Sequence, residues 1–313
     1  MKKLVLAVLC VVILGGFGFS QTLDDVAKLE NAARELGDII DSLIGTFPDV
    51  ATQQNIEPRA WIGYLVQSPY PQITTRSGKV TRELPHFTIG LVNFGVGFMK
   101  TDKINNVGRI LNGNDILPMS TLPWPSISFD ARIGGIKTPG LDLPIDLGFS
   151  FLTLDIGSLL GGDSGLGLKW TNWGLDARYL IIRQNGAIPN VSANAGFAHW
   201  SLNLDTDYFD GEFSTNTVYF GGQASYTLGF FIPYLGLKMM TGRNKGTVTL
   251  TLDELPSQIP ERSRTLGPEK SFFQMQFFGG FGFDWLVFQT SIGGSINVFT
   301  GTPGLNFITR FSL

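Results

Sequence analysis

Cysteine is all but missing from this chain: Cys10 is the only one, and it lies within the apolar stretch that opens the sequence. A chain with one thiol can build neither an internal disulfide framework nor a thiolate metal site. Histidine is almost as scarce, with His86 and His199 alone and no carboxylates at matching spacing, so no metal centre is expected. Charged residues make up only 16% of the chain, which is low for a soluble domain. Beyond the N-terminus no apolar run reaches the roughly 18 residues that a membrane-crossing helix needs. The Gly-x-Gly runs, such as Gly95-Val96-Gly97 and Gly280-Phe281-Gly282, follow strand spacing and precede no helix, so they are not nucleotide loops. No cofactor is expected.

Glycine and phenylalanine are abundant instead, with 39 and 25 copies among 313 residues. Residues 1–20 read as a secretory signal peptide: Lys2 and Lys3, the apolar Leu4–Phe19, then Gly18-Phe19-Ser20 as a small-x-small cut site before Gln21. Leu9 stands before Cys10 where a lipoprotein needs a small residue, and the apolar stretch runs on, which excludes that class. Removing Lys2 and Lys3 takes the charge from 23 − 26 = −3 to 21 − 26 = −5. This mild acidity argues against nucleic acid as a partner.

Residues 21–46 hold an expected amphipathic helix. Leu23, Val26, Leu29, Ala33, Leu36, Ile40 and Leu43 recur every three or four positions, and Thr22-Leu23-Asp24-Asp25 resembles a capping box. The helix would lie against a barrel, plug it, or pair with another helix. Residues 47–85 are broken by Pro58, Pro69, Pro71 and Pro85 and read as a hatch-like or connecting segment.

Residues 86–313 carry a different period. In Ser271–Thr300, Phe273, Met275, Phe277, Phe281, Phe283 and Trp285 alternate with Gln274, Gln276, Gly280, Gly282 and Asp284. After a corner at Trp285–Leu286 the parity flips: Leu286, Phe288, Ile292, Ile296 and Val298 alternate with Gln289, Ser291, Gly293, Ser295 and Asn297. A period of two means strands. One face is bulky and apolar, while the other is small and polar but almost free of Lys and Glu. That pattern suits a transmembrane wall, with lipid on one side and a confined interior on the other. A secreted β-sandwich is the competing architecture.

Ten strands are expected, with eight, twelve or fourteen as alternatives, in an all-β, antiparallel, up-and-down transmembrane barrel. Their connections alternate between short (Lys137–Asp142, Gln184–Pro189, Gly229–Phe231, Asp284–Leu286) and longer (Thr101–Leu122, Gly157–Lys169, Thr241–Lys270), with Asp205–Gly211 intermediate and placed with the longer set. Thr300–Pro303 is short. With both termini periplasmic, the longer set becomes extracellular. Parity changes near Leu91–Val92 and near Phe197–His199 predict two bulges. Thr241–Lys270, with Arg243, Lys245, Glu254, Glu261, Arg262, Arg264, Glu269 and Lys270, reads as a solvated loop.

The expected interior carries charge. Asp130-Ala131-Arg132 and Asp176-Ala177-Arg178 repeat one Asp-x-Arg arrangement, Asp146 stands on the strand between them, and Lys238 and Arg310 also point inward. These seven either fill the lumen as ion pairs or form a polar constriction that selects solutes. His199-Trp200-Ser201 puts a histidine and a serine on one strand face, an arrangement that some barrel lipid hydrolases use with an acidic or amide partner. An interfacial histidine is the simpler reading, and no enzyme is expected.

The chain resembles bacterial outer-membrane barrels. The irregular Phe47–Pro85 segment, followed by Leu84-Pro85-His86-Phe87-Thr88-Ile89-Gly90, is similar in order to the long-chain fatty-acid outer-membrane transporter family. Ala131-Arg132-Ile133-Gly134-Gly135 and Tyr234-Leu235-Gly236-Leu237 resemble uncharacterised barrel families. Leu305, Phe307, Phe311 and Leu313 resemble the outer-membrane assembly signal of a final strand. These likenesses imply an outer-membrane location with lipids and the assembly machinery as partners. The function expected is passive transport of a small solute, with hydrophobic solutes among the candidates. The alternative is a structural or surface-interaction barrel with a filled lumen, and the remote one a barrel lipid hydrolase.

Overall fold

Alternating side chains require strands, and strands in lipid must satisfy every backbone group by closing on themselves. A computed structural model describes residues 86–100, 120–134, 137–138, 141–142, 145–155, 166–206, 209–251, 263–266, 269–285 and 288–312. The expected signal peptide, the helix at Thr22–Ile44 and the 47–85 segment lie outside these residues.

Ten strands form the wall: β1 (His86–Lys100), β2 (Thr121–Gly134), β5 (Ile145–Asp155), β6 (Leu166–Ile182), β7 (Asn190–Thr206), β8 (Phe209–Ser225), β9 (Phe231–Thr251), β11 (Glu269–Trp285), β12 (Phe288–Asn297) and β13 (Pro303–Ser312). The connection from β2 to β5 carries a small ribbon, β3 (Lys137–Thr138) with β4 (Leu141–Asp142), and β10 (Ser263–Leu266) pairs with the far end of β9. Every pairing is antiparallel between chain neighbours, and the sheet closes where β1 meets β13, as in Ile89↔Phe311 and Phe94↔Phe307. This is a ten-stranded up-and-down barrel, and it replaces the sandwich.

The expected bulge near Leu91–Val92 is present, because the β1–β13 register slips between Gly90 and Val92. Thr88 and Gly90 face inward before the slip and Asn93, Gly95 and Gly97 after it. The bulge expected near Phe197–His199 is not there. The β7 ladder with β8 runs unbroken from Asn190↔Ser225 to Thr206↔Phe209, and Ala198, Trp200 and Leu202 simply point inward. An apolar residue on the inner face imitates a parity change when the interior is assumed to be polar throughout.

Two expected loops are in fact wall. The strands reach Thr206 and restart at Phe209, which pair with each other, so Asp205, Thr206 and Phe209–Gly211 belong to the wall. Within Thr241–Lys270, β9 runs on to Thr251, and β10 and β11 return alongside it. Arg243, Lys245, Arg264, Glu269 and Lys270 therefore stand on strands, while Glu254, Glu261 and Arg262 lie outside the described residues. At 21 residues β9 is roughly 70 Å long, whereas about 9–11 residues suffice to cross the hydrocarbon. The wall thus overhangs the bilayer on the β6–β9 side.

At the other end the turns are tight. Asn185 bridges Ile188 around Gly186 at φ 54°, and Leu228 bridges Phe231 around Gly229 at φ 64°. Both glycines occupy the left-handed region, which a side chain would disfavour. Gln184 ties the two turns together, donating to Thr227 O at 3.1 Å and accepting from Thr227 N at 2.7 Å.

Candidate functional site

The outer face explains where the molecule sits. Leu147, Phe149 and Phe151 on β5, Leu175, Tyr179 and Ile181 on β6, Val218 and Phe220 on β8, and Phe273, Phe277 and Phe281 on β11 are all exposed. Soluble proteins rarely leave so many large apolar side chains exposed side by side. Towards the overhang the belt gives way to polar rows that run strand to strand by register. One is Trp173–His199–Asn216–Arg243, and the next is Thr171–Ser201–Ser214–Lys245. The change from bulky apolar to polar marks the lipid boundary.

The inner face gathers the seven charged residues singled out in the sequence, and all are buried. Arg132 grips Asp176 with two parallel bonds, Nη1 to Oδ2 at 2.6 Å and Nη2 to Oδ1 at 3.0 Å. Asp130 accepts from Arg310 Nε at 2.7 Å, from Asn93 Nδ2 at 2.9 Å and from Arg132 Nε at 3.3 Å. One continuous network therefore joins β13, β1, β2 and β6. Asp146 and Arg178 stand directly opposite each other on β5 and β6. Lys238 is placed apart from these, on the far wall, with its Nζ 4.9 Å from the centre of the Tyr219 ring and 5.7 Å from that of Phe278. Such faces attract a desolvated cation.

These pairs reach over an intervening strand, and glycine makes that possible. Gly90 lies between Arg310 and Asp130, and a side chain there would overlap Asp130 Oδ1. Gly148 lies between Arg132 and Asp176 in the same way, where a side chain would overlap Asp176 Oδ1 and crowd Arg132 Nη1. The glycine-rich inner face is thus a set of slots into which a neighbour's long side chain lies flat. Replacing Gly148 with alanine would overpack the Arg132–Asp176 fork, an expected loss of about 1–3 kcal/mol. It would show as a lower temperature for the unfolding mobility shift on gels.

Part of the interior is apolar, against the expectation of a polar inner face throughout. Phe278 sits among the small inward residues of β11, lying over Gly236 and beside Tyr234. Towards the overhang, Trp170, Leu202 and Phe213 form one inward row, with Leu152 and Trp200 in the next. Their even or odd parity matched the inner face, and that was the available signal. Among the described residues no three His, Cys, Asp or Glu side chains are placed to hold a metal.

A closed antiparallel barrel with an apolar belt and a polar, charged interior defines a bacterial outer-membrane β-barrel protein, and that is its location. Membrane lipid surrounds the belt. No protein-family model and no curated protein matches the chain. Among solved structures it is similar to Ail, the attachment invasion locus protein of Yersinia pestis, at 9% identity and TM-score 0.29, covering 74% of this chain and 100% of that one. It is also similar to the outer-membrane protease OmpT of Escherichia coli (10%, TM-score 0.37, 73% and 96% covered). A third is the toluene transporter TodX of Pseudomonas putida (10%, TM-score 0.27, 84% and 97% covered).

Proposed function

We propose that this is a closed outer-membrane barrel whose lumen is filled by its own side chains, a structural or surface-interaction protein that works through its outer wall and overhang. Passive transport of a small hydrophobic solute fits the geometry less well. One observation carries the choice: Arg132, Arg178, Arg310 and Lys238 are at most 2% exposed, although each carries a full charge that water in an open lumen would solvate. Residues that line a conducting, water-filled lumen remain wetted, whereas small barrels fill their interiors with side chains. The apolar row Trp170–Leu202–Phe213 lies between the charges and the overhanging end, which adds to the seal. The seven charged residues then act as internal struts. The outward Leu305, Phe307 and Phe311 of β13 support recognition by the outer-membrane assembly machinery.

The test is conductance of the purified full-length protein in planar bilayers. A silent trace, with no uptake of small solutes by loaded vesicles, is the expected result. Steady single-channel steps that change size in Lys238→Ala would restore the transport reading.

A further inference from the structure

His199 and Ser201 lie two residues apart on β7 and so face the same way, outward, at the polar edge of the belt. Directly opposite His199 on β8 stands Asn216, whose Oδ1 is 2.8 Å from His199 Nδ1. An amide oxygen cannot donate, so the imidazole donates from Nδ1 in this contact, and in the neutral ring Nε2 is then the acceptor nitrogen. From β6 the Trp173 ring packs against the imidazole, with centres 5.7 Å apart. The imidazole is therefore held from both neighbouring strands in the tautomer of a general base. A hydroxyl stands one strand repeat away, about 7 Å along the chain, a gap that two side chains can close. Interfacial anchoring alone accounts for the tryptophan but not for a histidine oriented by an amide beside a serine.

We propose that Ser201, His199 and Asn216 form an acyl-ester hydrolase site on the lipid-facing wall, with Ser201 as nucleophile, His199 as base and Asn216 as its positioning residue. The surroundings set the substrate class: a fatty-acyl ester of a phosphate-bearing membrane lipid. Just below the site Leu175, Val218 and Phe220 are 51–53% exposed and offer a surface for acyl chains. At the level of the site and beyond, Arg243 stands opposite Asn216 and Lys245 opposite Ser214. They supply cations where a phosphate head group would lie, although Arg243 also shares an exposed pair with Glu269 at 3.6 Å.

In the first step the Ser201 hydroxyl oxygen bonds to the ester carbonyl carbon while its proton passes to His199 Nε2. The tetrahedral adduct collapses, the carbon–oxygen bond to the alcohol breaks, and the departing oxygen takes that proton. Water, deprotonated by the same nitrogen, then attacks the acyl-serine and releases the fatty acid, restoring the hydroxyl. No step passes through the lumen, so the site stands or falls separately from the sealed interior.

The experiment uses the folded full-length protein in mixed micelles with phosphatidylethanolamine and, separately, with lipid A. Fatty-acid release is followed by mass spectrometry, and serine reactivity by a fluorophosphonate probe. Release from either lipid is expected, and the lipid that is turned over identifies the source. Ser201→Ala and His199→Phe should each lower kcat by about 10³-fold or more. Asn216→Ala should lower kcat by about 10–100-fold with KM and folded mobility unchanged, which a merely structural residue would not do. The probe should label Ser201 in the native chain and fail in His199→Phe. A correctly folded native protein that neither labels nor releases fatty acid from either lipid overturns the proposal, as does full turnover by Ser201→Ala.

Discussion

Replacing Asp130 with alanine will destabilise the barrel by about 3–5 kcal/mol, because it removes the carboxylate that ties the buried Arg310 guanidinium into the network, while Arg132 keeps its fork to Asp176. Asp130 accepts from Arg310, Arg132 and Asn93, and both arginines are about 1% exposed. Without the carboxylate the Arg310 guanidinium loses its ion pair in a place that solvent hardly reaches. The effect reaches across the closure of the sheet, since Arg310 belongs to the last strand and Asp130 to the second. Guanidinium titration of the folded gel mobility measures the difference. A loss under about 1 kcal/mol, typical of an exposed pair, would mean that the network is bathed in solvent and that the sealed lumen is wrong.

An arginine in place of Phe277 is the second large effect. Phe277 is 53% exposed in the middle of the apolar face of β11, between Phe273 and Phe281. In water this change would be nearly neutral. Against hydrocarbon it costs about 2–4 kcal/mol at the bilayer midplane, falling to about 0–1 near the interface. Thr153→Arg, placed in the polar row with Thr171 and Ser201, is the matched control and should fold as the native chain does. Folding yield into vesicles, read on gels, compares the two. Equal yields would remove lipid from the outer face.

Much of the wall was legible because a strand's period is short and local. Phe273, Phe277 and Phe281 against Gln274, Gln276 and Gly280 needs nothing beyond the pleat to be read, and the slip at Gly90–Val92 is visible as a change of parity. Parity misleads where inner residues are themselves apolar. Trp200 and Leu202 on β7 and Phe278 on β11 fill the interior, and no local pattern says on which side of a sheet a large apolar residue is wanted. The length of β9 was missed for a related reason. Outside the bilayer both faces of a wall meet water, so Arg243 and Lys245 look like loop residues although they hold strand register.

The candidate sites divide in the same way. That Asp130, Arg132, Asp146, Asp176, Arg178, Lys238 and Arg310 share the inner face follows from parity alone. Which carboxylate meets which guanidinium does not, because Asp130 and Arg310 are 180 residues apart and meet only through barrel closure. His199 and Ser201 are neighbours on one face by sequence, whereas Asn216 reaches the imidazole only through the β7–β8 register.

By itself the sequence determined a strand-built membrane wall, its two faces and its approximate strand number, since alternation is a property of consecutive residues. Only tertiary structure decided which charges pair across glycine slots, and that an amide meets the outward histidine. Each of those depends on the stagger between strands, which is set when the sheet closes.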